Sequence, residues 1–203
     1  MSGNRILKKS RIESLTDGIF AVAMTILALS IQLPANTSVT QLSEVLSNSV
    51  ARDFFIFAGS FIILGTQWVA MHFQQGFLMN IDRTYCWLTL LFLLLMCVVP
   101  FSASLLMKYP HEELAIYIYA GNLLLSNLFQ WGIWEYAIRK KLNNNDLASG
   151  YKLVTRRIIV APIFYLLGML ISPWSISIAF FVLILPPLFY LFPGELDRYT
   201  KEL

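Results

Sequence analysis

Long apolar stretches alternate with short polar connectors along this chain, and the pattern predicts an all-α membrane protein with six membrane-spanning helices. A bilayer core of about 30 Å is crossed by about 20 residues of α-helix. The predicted spans cover residues 14–33, 54–73, 84–107, 114–137, 158–172 and 174–192. The last two come from one stretch without charged residues, which as a single helix would be about 55 Å long. Because Ser172 and Pro173 lie near its middle, two spans joined by a tight turn fit better.

The first span carries an unusual acid, Asp17, beside a regular apolar stripe. With about 100° of rotation per residue, one helix face holds a row of small or apolar positions: Gly18, Val22, Thr25, Ile26, Leu29 and Leu33. Asp17 projects away from this row. Such a stripe is typical of a packing face in a helix bundle. It would also line a narrow, mostly hydrophobic pore if several copies of the helix met around an axis.

The composition places the chain in a membrane. Hydrophobic residues make up 57% of the 203 positions and charged residues only 13%, whereas soluble domains contain about 25% charged residues. No polar stretch is long enough for a separate extramembrane domain, and the first apolar stretch is too long for a cleavable signal peptide. Cys86 and Cys97 lie about 16 Å apart on a helix, which is too far for a disulfide. Both should therefore be free thiols.

The distribution of lysine and arginine predicts the orientation of the chain. Six spans put both termini on the same side of the membrane. With the termini in the cytoplasm, thirteen of the 15 basic residues lie on the cytoplasmic side and two, Arg52 and Lys108, on the other. Basic residues concentrate in the cytoplasmic loops of membrane proteins. We therefore expect a multi-pass protein of the cell (inner) membrane with both termini cytoplasmic.

Polar residues of the first two spans are predicted to meet near the cytoplasmic edge of the membrane. Asp17 lies about one turn inside the first span and His72 about one turn before the end of the second. Trp68 shares a helix face with His72 because the two are four residues apart. Ionisable residues inside a membrane are usually paired, face a wet interior or act in transport. We favour a structural clamp on the first helix; a proton relay is the alternative, because histidine changes charge near neutral pH.

Known catalytic motifs do not occur in the sequence, which has no HExxH, no GxSxG and no phosphate-binding loop. Its two histidines are His72 and His111. We therefore expect neither an enzyme nor a bound cofactor, and no nucleic-acid partner. The sequence also lacks the TVGYG carbonyl filter of potassium channels and an arginine-rich voltage-sensing span. Any ion selectivity must then come from side chains on a helix.

Three segments resemble one family of membrane proteins. The segment RIESLTDG at residues 11–18 resembles the Arg-x-x-x-Phe-Ser-Asp signature of the endolysosomal potassium channel family, transmembrane protein 175, in its prokaryotic branch. Leu15 replaces the signature phenylalanine, and Thr16 replaces the serine but keeps the hydroxyl. The segment WVAMH at residues 68–72 is similar to the family's second helix, and Pro100 with Phe101 to its third. The resemblance covers all six spans in order and length, with specific motifs in the first three.

The resemblance implies a channel for potassium and other monovalent cations, in which hydrophobic layers and a threonine of the first helix replace a carbonyl filter. The corresponding pore, gate and selectivity positions are Val22, Thr25, Ile26 and Leu29. A potassium ion would be held transiently near Thr25. The polar network that holds the pore helix would consist of Arg11, Thr16, Asp17, Trp68 and His72. Chains with one six-helix repeat would assemble in the lipid bilayer as a homotetramer around the first helix.

A proton-coupled secondary transporter is the alternative function, with Asp17 and His72 as the coupling site. Transporters usually contain an internal repeat and helices broken near mid-membrane. The two halves of this chain look unlike each other, and Pro100, Pro173 and Pro186 do not occupy corresponding places. The channel is therefore the leading prediction.

Overall fold

The chain folds into long α-helices that pack side by side. The computed structural model describes residues 8–32, 45–142 and 148–191. The six α-helices in these ranges are α1 (Lys9–Ala28), α2 (Ala51–Gly76), α3 (Arg83–Lys108), α4 (Glu113–Arg139), α5 (Ala148–Ile171) and α6 (Ile176–Leu191). A short π-helical segment, Leu46–Val50, leads directly into α2.

Helices α2, α3 and α4 contribute most of the buried core. Helix α1 packs against α2 and α3, while α6 packs against α2, α4 and α5. The six largest fully buried side chains of the described residues are all aromatic: Trp134, Tyr85, Tyr119, Tyr165, Phe20 and Phe92. Aromatic rings bury a large apolar area each and dominate the packing energy of such a core. One face of α1 is thereby fixed to the bundle and the other is left uncovered.

Two of the helices are long and apolar enough to cross a membrane by length and composition, counting the described residues only. These are α2 and α3. Helix α1 carries Arg11, Glu13 and Asp17, and α4 carries buried asparagine and glutamine residues that lower its hydropathy. Shorter apolar segments occur in α5, at Ile158–Ile171, and in α6, at Ile176–Pro187. These apolar helices are those of a membrane protein, while a full set of six spans remains a prediction.

Helix α1 is displaced towards the amino terminus relative to the predicted span of residues 14–33. It begins at Lys9, and the Lys9 ammonium pairs with Glu13 at 3.3 Å across its first turn. It ends at Ala28, where the backbone amides of Leu29 and Ser30 bond to Ile26 and Leu27 in a closing turn. Leu33, the last member of the predicted stripe, lies outside the described residues.

Proline residues occur both inside the helices and between them. Helix α3 continues through Pro100 to Lys108. The connection between α5 and α6 is a tight turn at Ser172 and Pro173, and the Ser175 hydroxyl oxygen caps α6 by accepting from Ile178 N at 3.3 Å. Trp174 in this turn is 83% exposed. The apolar stretch after residue 157 is therefore divided into two helices at the predicted place.

Helix α6 approaches its neighbours closely at two glycines. A Cβ added to Gly168 of α5 would lie 3.0 Å from Cγ of Leu183 and 3.3 Å from the carbonyl oxygen of Ala179. A Cβ added to Gly59 of α2 would clash with Ile184. Glycine is the residue that leaves room for such close helix contacts in membrane proteins.

The start of α3 is tied to the end of α4. Asp82 caps α3 by accepting a hydrogen bond from Tyr85 N at 2.8 Å, and its second oxygen accepts from the Tyr136 hydroxyl at 2.6 Å. The amides of Met79 and Asn80 both donate to the carbonyl oxygen of Leu142. This end of the bundle, which also holds the end of α2, therefore has a fixed arrangement.

Candidate functional site: the two faces of the first helix

Helix α1 has one buried and one exposed face. The buried face packs on α2 and α3 through Ile12, Thr16, Phe20, Ala23 and Leu27. The Phe20 ring lies 6.1 Å from the Phe92 ring of α3, centroid to centroid. These contacts fix the rotation of the helix about its axis and so decide which residues point outward.

All four predicted pore positions lie on the exposed side of α1. The exposed fractions are 56% for Val22, 48% for Ile26 and 73% for Leu29, which follows the last residue of the helix. Thr25 is also exposed. A row of apolar side chains on the outside of a single chain indicates a surface that faces lipid or another protein.

The Thr25 hydroxyl is oriented by its own helix. It donates to the carbonyl oxygens of Val22 at 2.8 Å and Ala21 at 3.1 Å. Because a hydroxyl has one hydrogen and two lone pairs, the oxygen keeps its acceptor capacity on the exposed side. It can therefore offer an oxygen ligand to a cation without leaving its own hydrogen unpaired.

Asp17, Trp68 and His72 are linked in a short chain between α1 and α2. The Trp68 indole Nε1 donates to Asp17 Oδ1 at 2.8 Å. The Trp68 ring stacks on the His72 ring at 5.5 Å between centroids and 25° between planes. Asp17 therefore reaches His72 through the tryptophan, and both Asp17 and His72 are exposed in the single chain.

Thr16 makes a separate connection to α2. Its hydroxyl donates to Ile12 O at 2.8 Å and accepts from Gln75 Nε2 at 3.2 Å, and both side chains are buried. Arg11, the fifth residue of the predicted network, forms no side-chain hydrogen bond or ion pair within the described ranges and is exposed. Four of the five residues thus take part in two separate contacts between α1 and α2, one through Asp17, Trp68 and His72 and the other through Thr16. Arg11 takes part in neither contact.

Sequence reasoning missed Gln75 as a partner of Thr16. A signal was present, because Gln75 lies three residues after His72 and at about the depth of Thr16. A buried glutamine in such a place needs a hydrogen-bond partner. The prediction singled out ionisable and aromatic residues and so passed over the uncharged amide.

The exposed face of α1 borders two open recesses. One is an apolar groove of about 340 Å³ beside α3, lined by Leu15, Gly18, Val22, Ile26 and Cys97 among others. Cys86 and Cys97 are both free thiols. The second recess, of about 760 Å³, lies where α1 ends and is polar, with Arg52 paired to Asp53 at 2.9 Å. The exposed face is therefore apolar along the helix and polar at its end.

Comparisons with known proteins agree with the motifs in the first three helices. The model of the family "Endosomal/lysosomal potassium channel TMEM175" matches residues 11–100. A potassium channel of Chamaesiphon minutus is 28% identical over 84% of this chain and 89% of that protein. A potassium channel of Chryseobacterium is 25% identical over 97% of this chain and all of that protein.

More distant similarity extends to animals and to a solved structure. The endosomal/lysosomal proton channel TMEM175 of Mus musculus is 26% identical over 65% of this chain, a match that spans 29% of the mouse protein. The crystal structure of a lysosomal potassium-selective channel TMEM175 homolog from Chamaesiphon minutus matches with a TM-score of 0.73 and 24% identity. The match covers 90% of this chain and 95% of the other. At this identity the likeness shows a shared fold.

Proposed function

We propose that the chain is a prokaryotic member of the TMEM175 family of ion channels, which its matches to the family model and to a bacterial potassium channel support, and that it is a potassium-permeable, potassium-selective channel. Its pore is lined by the exposed face of α1 in a homotetramer. The proposed ions are potassium and other monovalent cations. Conduction needs no bound cofactor, and no catalytic role is assigned to any residue.

The observation that carries the proposal is the uncovered apolar face of α1. Val22, Ile26 and Leu29 are among the exposed large apolar side chains, although the opposite face of the same helix is fully packed. A six-helix chain has one copy of this helix and cannot enclose a path alone. Cyclic symmetry would bring the same face of four chains to one axis.

The chemistry of this face suits a gated pore without a carbonyl filter. Rings of apolar side chains at Val22, Ile26 and Leu29 would exclude water in the closed state, since hydrophobic constrictions gate by dewetting. In the open state the Thr25 oxygen would coordinate a partly dehydrated potassium ion. This role agrees with the hydroxyl hydrogen being occupied by the helix backbone.

The polar network is proposed to hold the pore helix rather than to conduct. Trp68 and Gln75 attach α1 to α2 at Asp17 and Thr16, and His72 supports the Trp68 ring. Arg11 would find its partner elsewhere, in an adjacent subunit or at the membrane surface. We also propose that the protein spans the inner membrane six times with cytoplasmic termini, as the basic residues indicate.

Thiol accessibility combined with electrical recording tests the proposal. In a background lacking Cys86 and Cys97, cysteines at Val22, Ile26 and Leu29 should react with a water-soluble cationic thiol reagent when the channel is open, and the reaction should block the current. A cysteine at Ala23, which is 3% exposed on the packed face of α1, is the matched control and should not react.

Two results would contradict the proposal. Unreactive cysteines at the three pore positions in every open condition would show that α1 presents a different face to the ions. In planar bilayers with a potassium/sodium gradient, a saturating flux coupled to protons and without single-channel steps would identify a secondary transporter instead. Asp17 and His72 would then be its coupling site.

A further inference from the structure

Polar side chains are buried between α2 and α4, away from the α1 face. Ser60, Gln67 and Gln74 are seven residues apart along α2 and all are buried. The Ser60 and Tyr119 hydroxyl oxygens lie 2.8 Å apart, and Gln130 Nε2 donates to the Gln67 carbonyl oxygen at 3.4 Å. The two helices therefore meet along a polar seam inside the bundle.

A small cavity lies beside this seam, where α2, α4, α5 and α6 come together. Its volume is about 10 Å³, which is close to the minimum that one water molecule requires. The lining residues are Thr66, Gln67, Ala70, Asn127, Ala161, Tyr165, Pro186 and Pro187. The lining contains no charged side chain.

Asn127 has an unused acceptor in this cavity. The residue is 4% exposed, and its Oδ1 receives no hydrogen bond from any group in the part of the chain that the structure describes. Buried polar atoms in native proteins are almost always hydrogen-bonded, to protein or to ordered water. In a membrane protein the requirement is stricter, because the hydrocarbon core holds no water that could satisfy a polar atom.

Other groups in or near the cavity can form hydrogen bonds. Pro186 and Pro187 line the cavity and have no N–H, so the carbonyl oxygens of Val182 and Leu183, one turn earlier in α6, cannot receive the usual helical hydrogen bond. Thr66 donates its hydroxyl hydrogen to Ile63 O at 2.8 Å, which leaves its oxygen as an acceptor. The side-chain amide of Gln67, also in the lining, can donate.

We propose that this cavity binds one ordered water molecule that connects α4 to the proline-interrupted part of α6. The water donates to Asn127 Oδ1 and to a second acceptor, from Thr66 or from the α6 backbone, and accepts from Gln67. A water molecule suits this mixture of groups because it can donate and accept hydrogen bonds at one position. A bare cation would have no counter-charge here, since no carboxylate lines the site. The inference stands apart from the proposed conduction path and does not depend on it.

A structure of the full-length protein in a rubidium salt, at a resolution that shows waters, tests the proposal directly. We expect a density peak within hydrogen-bonding distance of Asn127 Oδ1 and without anomalous signal from rubidium. An anomalous peak in the cavity would show a monovalent cation site instead. An empty cavity, or Asn127 Oδ1 bonded to a protein donor, would overturn the proposal.

The substitution Asn127→Leu gives a second test, because the direction of its effect on the thermal midpoint depends on whether water occupies the cavity. If the cavity is hydrated, leucine displaces the water and leaves the other groups that bonded to it without that partner, so the thermal midpoint of the protein in detergent falls by a few degrees. If the cavity is dry, removal of an unpaired acceptor raises the midpoint, which would contradict the proposal.

The matched control is Ser126→Ala. Ser126 is buried on the same helix, and its hydroxyl donates to Asn122 O at 2.6 Å within α4. This variant should keep the density peak in the cavity, and a loss of the peak would show that the signal does not belong to the Asn127 site. Should Asn127→Leu fail to fold, the density in the unaltered protein decides alone.

Discussion

Thr25 donates its hydroxyl hydrogen to the helix backbone, and its oxygen is the proposed ligand of the ion. Thr25→Val preserves the shape and removes the oxygen. Loss of one cation contact of about 1 kcal/mol would lower the potassium preference about fivefold. Reversal potentials under a potassium/sodium gradient measure this ratio. Thr66→Val, whose hydroxyl makes a similar bond to Ile63 O on α2, should leave the ratio unchanged.

A Thr25→Val channel with an unaltered reversal potential would show that the threonine oxygen takes no part in selectivity. The selectivity would then have to arise from pore width or from the polar recess at the end of α1.

Trp68 is the residue through which α2 holds Asp17, so Trp68→Phe should weaken the attachment of α1. The phenylalanine keeps an aromatic ring but loses the donor to Asp17 Oδ1. A hydrogen bond to a charged group contributes about 1.5–3 kcal/mol when buried, and less at this exposed site. A fall in the thermal midpoint of the detergent-solubilised protein measures the effect.

Trp87→Phe is the control for this prediction. Trp87 is 57% exposed on α3, and its indole makes no hydrogen bond to the described residues. Equal midpoints for the two variants would mean that the bond between Trp68 and Asp17 contributes nothing to stability.

The contacts of Asp17 and Thr16 show which parts of the site could be predicted from the sequence. The shared depth of Asp17, Trp68 and His72 follows from counting residues along two helices. The choice of Gln75 as the partner of Thr16 depends on how α2 is rotated about its axis, which the pattern does not fix because Gln74 and Gln75 are neighbours and both are polar. Arg11 lies in the first turn of α1, which the predicted span of residues 14–33 did not include.

At the scale of elements, substitution by alanine should have opposite effects on stability at a glycine packed between helices and at an exposed one. Gly168→Ala places a methyl group 3.0 Å from Leu183 Cγ and against a backbone oxygen of α6, so we expect destabilisation by about 1–3 kcal/mol. Gly132→Ala on α4 meets nothing within 4 Å and should stabilise by up to about 1 kcal/mol, because alanine favours helix. Thermal midpoints of both variants distinguish the cases, and a shift in the same direction would contradict this packing.

The number and order of the helices could be predicted because apolar length is a strong signal. The turn between α5 and α6 was also visible, at Ser172 and Pro173. The ends of α1 were not, because its first turn is amphipathic and is fixed by the Lys9 and Glu13 pair, while its last turn closes before the apolar run ends. Apolar length measures how much chain can enter a bilayer, whereas helix ends depend on local backbone bonds.

At the scale of the whole molecule, the uncovered face of α1 predicts a homotetramer. Small residues such as Gly18 and Ala21 on the outside of α1 let helices approach closely. Native mass measurement in detergent should give four chains. Val22→Arg would place four like charges at the axis and should shift the population to monomers, whereas Ile159→Arg on the similarly exposed face of α5 should not.

A monomer that conducts potassium in single-channel recordings would exclude the tetramer. The resemblance at residues 11–18 agrees with the match to the TMEM175 family model, which covers residues 11–100. The assembly remains a prediction because a single chain holds none of its partner's contacts.

The tight turn that separates α5 from α6 has a consequence for the surrounding lipid. The apolar segment of α5, Ile158–Ile171, is about 21 Å long by its helical rise, against about 30 Å for a bilayer core. We expect the exposed Trp174 to lie at the headgroup level and the membrane to become thinner beside this hairpin. Conductance and thermal stability should therefore be higher in vesicles of short-chain lipids than in those of long-chain lipids. The cost of deforming the bilayer would grow with acyl-chain length and would act on the protein as a mechanical force.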